Sequence, residues 1–182
     1  MNQVTTTTAH TGFLWLIPQN SFDDSPQKRS DTSGDKDIHP PQINVPHEGL
    51  TPCVKDYLSK FFDRKLLDQI NVHRDELPAI VPGKDDTSAY TASEHDIWFN
   101  KGQYSPNTAR GIVRIGHEVE HAYQWRKYGA SFGLLYLGDS AGVFYMTGNP
   151  DLAYPLNRFE LSAQKKEKQI LDDIEKNGNP CP

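Results

Sequence analysis

Residues 112–122 read Ile-Val-Arg-Ile-Gly-His-Glu-Val-Glu-His-Ala, and this stretch decides the predicted fold. His117 and His121 are four positions apart, so both imidazoles face the same side of an α-helix. Glu118 lies about 100° further around that helix. Most neighbouring side chains are apolar, and we therefore expect a long, largely buried helix at the centre of the domain.

The pattern H-E-x-x-H is typical of a site in which two imidazoles bind one cation. Glu118 can reach a water on the metal without binding the metal itself, which makes it the candidate general base. A surface helix with two solvated histidines is the alternative, but unpaired imidazoles on a buried helix are unfavourable. The spacing therefore favours metal-dependent chemistry.

A catalytic zinc site needs a third protein ligand. The extended motif with a third histidine is absent, because Gln124 and Lys127 stand where its glycine and histidine belong. Glu160, set among apolar residues on a predicted last helix, is the candidate, with a solvent-facing glutamate as the alternative. The sequence thus predicts one Zn²⁺ per chain, bound by His117, His121 and Glu160.

A hydrolytic site also needs a group that stabilises the developing oxyanion. Three tyrosines between the motif helix and the last helix are candidates, and each has an ordinary core role as its alternative: Tyr136, Tyr145 and Tyr154. Tyr154 is the nearest of them to Glu160 in sequence, and we predict it for this role. The later acidic residues of the last helix belong to its polar tail and are expected to have no special role: Glu167, Asp172, Asp173 and Glu175.

The rest of the chain predicts an α+β fold. Thr51 is a good cap for an amphipathic helix over residues 52–66. Short runs of β-branched or aromatic residues predict three strands, at 69–73, 88–91 and 96–100.

The motif helix should begin after residues 105–107 and end at Gly129. The apolar segment 130–154 suits a short helix or a buried hairpin. A last helix should then run from Pro155 to about Lys176.

The composition of the chain further narrows the classes of function that it could have. The 182-residue chain carries a net charge of -5, which argues against a nucleic-acid binder. Apolar residues make up 36%, and no apolar run reaches the roughly 18 residues that a membrane-spanning helix needs. Cys53 and Cys181 can form at most one disulfide.

Residues 1–48 are polar and rich in proline, which predicts a flexible or draped arm before a domain over 49–182. Its one apolar run, Phe13–Ile17, suits a strand laid on the domain or a segment that docks a partner. Residues 1–10 lack Lys and Arg, and that apolar run is too short for a secretory signal. We therefore expect the protein to stay in the cytoplasm of its producer or to leave by a route that reads no such signal.

The chain resembles the zincin-like domain associated with extracellular contractile injection systems, and is similar to metallopeptidase toxin domains of type VI secretion spike proteins. The resemblance covers about residues 66–165. The segments that carry it are 70–73, 89–91, 96–99, 102–106 and 117–124.

The resemblance implies a minimal zincin fold, in which a small β-sheet packs on the long H-E-x-x-H helix and a second helix carries a ligand. It also implies zinc on His117, His121 and Glu160, with Glu118 as the base. Gly116 and Glu120 depart from the family pattern. Gln164 stands where thermolysin-like enzymes have an aspartate, which leaves open the group that orients the histidines.

We therefore expect a zinc metallopeptidase, acting on peptides or proteins as a secreted antibacterial effector. Such a role implies a cognate inhibitor or immunity protein and a secretion-spike partner. Two alternatives remain: a non-catalytic zinc-binding scaffold or adaptor of a contractile secretion system, and an amidase acting on cell-wall peptides.

Overall fold

The computed structural model describes residues 48–74, 77 and 88–182, and it confirms the predicted α+β class. The strands are β1 (Glu48–Gly49), β2 (Asn71–His73), β3 (Ala89–Thr91) and β4 (Asp96–Phe99). The helices are α1 (Pro52–Leu58), α2 (Arg64–Gln69), α3 (Ala109–Tyr128), α4 (Phe132–Thr147), α5 (Pro150–Ala153) and α6 (Arg158–Asn177). A 3₁₀ turn, Gly129–Ser131, connects α3 to α4.

The four strands form one small sheet in the order β1-β2-β4-β3. β2 and β4 are parallel, whereas β1 and β3 pair antiparallel at the two edges. The three predicted strands are confirmed. The sheet begins at Glu48, the last residue assigned to the arm, while residues 1–47, including Phe13–Ile17, lie outside the described residues.

The prediction of one helix over residues 52–66 is wrong, because the chain forms two short helices there. Thr51 caps α1 as expected, but α1 ends at Leu58. Asp63 then begins α2, since its side chain accepts a hydrogen bond from the Lys65 N–H at 2.9 Å. The break between the two helices lets Leu66 and Leu67 of α2 enter the core.

The long helix α3 is confirmed and ends at Gly129, whose φ of 58° suits glycine. It begins slightly later than predicted, because the Thr108 hydroxyl caps it by accepting from the Gly111 N–H at 3.1 Å. The side chains on its inner faces are fully buried in the main core: Ile112, Ile115, Val119 and Ala122.

Gly116 allows α6 to approach α3 closely. A Cβ atom at Gly116 would lie 2.2 Å from Cδ1 of Ile170, a buried residue of α6. The Gly116 departure from the family pattern therefore has a structural reason. It makes room for the neighbouring helix directly beside His117.

The segment after α3 is helical, so the alternative of a buried hairpin is wrong, and α4 is longer than the short helix expected. Of the α4 side chains only Phe132 is buried. Leu134, Tyr145 and Met146 are 76%, 90% and 84% exposed. Even so, no helix among the described residues is long and apolar enough to cross a membrane.

The last helix begins at Arg158, three residues after Pro155. Asn157 is its cap, and the amide oxygen of Asn157 accepts from the Phe159 N–H at 2.9 Å. The amide nitrogen of the same side chain donates to the Tyr136 carbonyl and the Ser140 hydroxyl on α4. Asn157 thereby fixes both where α6 starts and where α4 lies against it.

Cys53 and Cys181 form a disulfide, which agrees with the expectation of at most one bridge. Cys53 lies in the first turn of α1, and Cys181 follows α6 near the end of the sequence. The bond therefore joins the two ends of the described domain.

We predict that Gly116→Ala destabilises the protein by about 1–3 kcal/mol, because the added methyl group overlaps the Ile170 side chain. Ile170→Val removes Cδ1, the atom in conflict. The double variant should therefore be more stable than Gly116→Ala alone when unfolding is followed in urea. Simple addition of the two single effects would contradict a clash at this position.

Candidate metal centre

Helices α3 and α6 bring the three predicted ligands together. The Nε2 atoms of His117 and His121 are 3.1 Å apart. One oxygen of Glu160 lies 3.2 Å from Nε2 of His121, and the other lies 3.4 Å from Nε2 of His117. All three side chains are largely buried, so they form a group with the composition of a metal site.

The spacing of the donor atoms fits a small tetrahedral ion. Metal–ligand bonds of about 2.0–2.1 Å place tetrahedral donors roughly 3.3 Å apart, close to all three separations observed here. Two buried atoms, Nδ1 of His117 and Oε2 of Glu160, have no hydrogen-bond partner among the described residues. The carboxylate oxygen in particular is buried beside two imidazoles with a bond still to make. The three residues therefore fit a metal ion, while its identity as zinc stays a prediction.

Without metal, the three side chains strongly shift one another's pKa values. Burial by itself lowers the pKa of His117, but the carboxylates of Glu160 and Glu167 outweigh it and raise that pKa to about 10. Burial opposes ionisation of Glu160, yet His117 and His121 hold the pKa of its carboxyl well below its usual range. The metal-free site therefore holds at least one proton at neutral pH, which a metal ion must displace.

Two polar side chains contact the far sides of the imidazole rings. Oε1 of Gln124 lies 2.9 Å from Nδ1 of His121. Oε1 of Glu167 lies 3.6 Å from Nδ1 of His117. The hydrogen bond from His121 to Gln124 supplies an orienting group that the sequence left open, whereas Glu167 is a charged neighbour of His117 beyond hydrogen-bond distance.

Glu118 is buried at the same level of α3 and is held by the sheet. Its Oε2 atom accepts a hydrogen bond from the Thr91 hydroxyl on edge strand β3 at 2.7 Å. Its charge lies close enough to contribute to the raised pKa values of His117 and His121. Glu118 therefore faces the site without belonging to the group of three ligands.

Two tyrosines lie at the Glu160 carboxylate. The Tyr136 hydroxyl donates to Oε1 of Glu160 at 2.7 Å. Tyr154 is half exposed, and burial of its hydroxyl together with the Glu160 charge raises its pKa well above the usual range. The structure thus places Tyr154 near Glu160, where its role in catalysis stays a prediction. Tyr145 is 90% exposed on the outer face of α4.

The expectation that the later acidic residues of α6 have no special role is wrong for two of them. Glu167 pairs with His117, as described above. Asp173 accepts a hydrogen bond from the Tyr57 hydroxyl at 2.9 Å and pairs with Lys60, so it ties α6 to α1. Asp172 agrees better with that expectation, since it forms an exposed ion pair with Lys168.

Sequence reasoning missed the contributions of Thr91, Gln124 and Glu167, and it placed Tyr136 behind Tyr154. Thr91 stood in a predicted strand, but no local signal links a strand threonine to a glutamate 27 residues later. Gln124 lies in the segment that carries the family resemblance, but the sequence assigns it no role in the site. The spacing of Gln124, three residues after His121 on one helix face, is a signal that could have identified it. Tyr136 was considered, but nearness in sequence favoured Tyr154.

Comparison with known protein families finds a similarity over part of the chain. The family model of the eCIS (extracellular contractile injection system) core domain matches residues 50–129. No curated protein and no solved structure matches the chain. The similar region includes His117, Glu118 and His121 but ends before Glu160. The predicted association with injection systems agrees with this match, which says nothing of peptidase activity.

We predict that binding of one Zn²⁺ at pH 7.5 releases about one proton or more from the protein, because His117 is protonated in the metal-free state. Two histidines with ordinary pKa values would release only about 0.2 protons in total. The affinity for Zn²⁺ should accordingly rise with pH until the pH approaches the pKa of His117. It should fall as the solution becomes more acidic. Calorimetry in buffers of different ionisation enthalpy measures the proton count.

Glu160→Ala should greatly weaken metal retention, because it removes the only ligand that α6 supplies. Zinc content after dialysis against a chelator provides the measurement. Glu175→Ala, an exposed acid on the same helix, is the matched control and should retain metal like the wild type. Undiminished affinity in Glu160→Ala would remove Glu160 from the site.

Proposed function

We propose that this protein is a zinc-dependent metallopeptidase. The observation that carries the proposal is the set of three buried donors at tetrahedral spacing, with the Glu118 carboxylate held beside them by Thr91. Two imidazoles and one carboxylate form the donor set of several zinc peptidases. Zinc is therefore the ion that we propose for the site.

When bound, zinc supplies Lewis acidity that activates water and polarises a carbonyl group. Glu118 acts as the general base, taking the proton of the attacking water and passing it to the leaving amine. The Thr91 hydroxyl donates to Oε2 of Glu118 and holds the carboxylate in one orientation. The fixed carboxylate needs little reorganisation before the reaction.

Tyr154 is the proposed donor to the developing oxyanion. Both hydroxyls interact with Glu160, but Tyr154 is exposed and Tyr136 only partly so, which makes Tyr154 the more accessible of the two to a substrate. Tyr136 instead holds the carboxylate of the third ligand in place. This arrangement assigns the two tyrosines different tasks at one carboxylate.

We further propose that the enzyme works with a contractile injection system, as an effector that acts on peptides or proteins. The match to the eCIS core domain supports this association. An effector of this kind needs a secretion-spike partner for delivery and a cognate inhibitor in the producing cell. Its chemistry would serve equally for an amidase acting on cell-wall peptides.

A second candidate is a zinc-binding scaffold or adaptor of the injection system without turnover. One observation favours the scaffold. The region matched by the family model contains both histidines but ends before Glu160 and the two tyrosines. Under this alternative, metal binding serves stability alone, and the position of Glu118 has no chemical consequence.

We predict that Glu118→Gln retains one zinc per chain and lowers the hydrolysis rate by about 10²–10⁴-fold, because it removes the base and preserves the shape. Suitable substrates are denatured protein, a mixed peptide library and purified cell-wall peptides, each followed by mass spectrometry of the products. The class of substrate that is cleaved separates a peptidase from an amidase.

Glu120→Gln is the matched control for this experiment. Glu120 is a buried glutamate of the same motif, but it contacts Ser162 at 2.8 Å instead of the metal ligands. A glutamine there keeps an oxygen for this hydrogen bond, so activity should persist. Equal hydrolysis by wild type and Glu118→Gln at full zinc occupancy would favour the scaffold.

A further inference from the structure

We propose that Gln124 is the positioning residue that couples the metal ligands of the two helices. It sets the tautomer of His121 on α3 and holds the backbone of α6 next to Glu160. The inference rests on the metal site of the proposed function but not on hydrolysis.

The surroundings of the Gln124 amide fix its orientation. Its nitrogen lies 3.0 Å from the carbonyl oxygen of Phe159. A carbonyl oxygen can only accept a hydrogen bond, so the amide must present N–H to Phe159. Oε1 is then the atom that faces His121.

This orientation of the amide determines the tautomer of His121. Oε1 of Gln124 lies 2.9 Å from Nδ1 of His121 and has no proton to donate. The proton of a neutral His121 must therefore be on Nδ1. The lone pair is left on Nε2, the ring atom that faces His117 and Glu160. The Phe159 carbonyl thus determines, through one amide, which nitrogen of His121 is available to a metal.

Gln124 also holds the first turn of α6. Phe159 directly precedes Glu160, and both residues lie in the first turn of the helix. The bond from Gln124 consequently ties α3 to the backbone that carries the third ligand. Gln124 is only 3% exposed, so water does not readily replace either bond.

Two substitutions separate the two contacts. Gln124→Met keeps the length of the side chain and removes both hydrogen bonds. Gln124→Glu keeps an acceptor for Nδ1 of His121, but its carboxylate has no proton to donate to the Phe159 carbonyl. Ser162→Ala is the matched control, because it removes another hydrogen bond between α3 and α6 that touches none of the ligands.

The measurements are the Zn²⁺ dissociation constant, obtained by competition with a chromophoric chelator, and the ¹⁵N chemical shifts of the His121 ring. Thermal unfolding of each metal-free variant reports its stability. We expect Gln124→Met to weaken zinc binding about 10–100-fold. Gln124→Glu should also weaken it but retain the Nδ1–H signature of His121. Ser162→Ala should lower the unfolding temperature and leave the dissociation constant within about twofold of wild type.

Wild-type affinity in a folded Gln124→Met variant would overturn the inference. A loss of affinity no larger than that of Ser162→Ala at similar stability would overturn it as well, since Gln124 would then serve only packing. These failures leave the proposed function intact. Absence of zinc binding by the wild type would instead defeat the proposed function, and the inference with it.

Discussion

The distance between α3 and α6 governs the candidate site. Two of its donors lie on one helix, where four-residue spacing fixes their separation, but the third comes from the other helix. Gly116 permits the contact, because the Ile170 side chain occupies the space that a Cβ atom would need. A larger separation would leave the imidazoles in place and withdraw the carboxylate. The third ligand is therefore the part of the site most sensitive to packing.

Several weaker interactions determine where along α6 that carboxylate lies. Asn157 begins the helix, and Asp139 of α4 accepts a hydrogen bond from the Arg158 N–H at 2.7 Å. Glu160 consequently lies in the first turn, where the helix dipole favours negative charge. The dipole and the two histidines act in the same direction, so the ligand is ionised before any metal arrives. Local helix capping thus contributes directly to the chemistry of the site.

The parts of the site that the sequence predicted are those with local causes. His117, Glu118 and His121 follow from the helical repeat, and Glu160 was recognisable as an acid in apolar surroundings. The contacts of Thr91 and Gln124 with the site depend on how the sheet and α6 pack against α3. No short segment of the sequence encodes that packing. The division between α1 and α2 was missed because the apolar spacing continues past Leu58, whereas Asp63 starts a new helix. The exposure of α4 was missed because an apolar composition normally indicates burial.

The disulfide gives the domain an unusual covalent topology. Cys53 and Cys181 are 128 residues apart, so the chain between them forms a closed ring that contains all the proposed ligands and the base. A single peptide-bond cleavage within that ring would open it without separating any fragment. One cut between Cys53 and Cys181, by self-processing or by another protease, would therefore leave the two pieces covalently joined on a non-reducing gel. Reduction would separate the pieces.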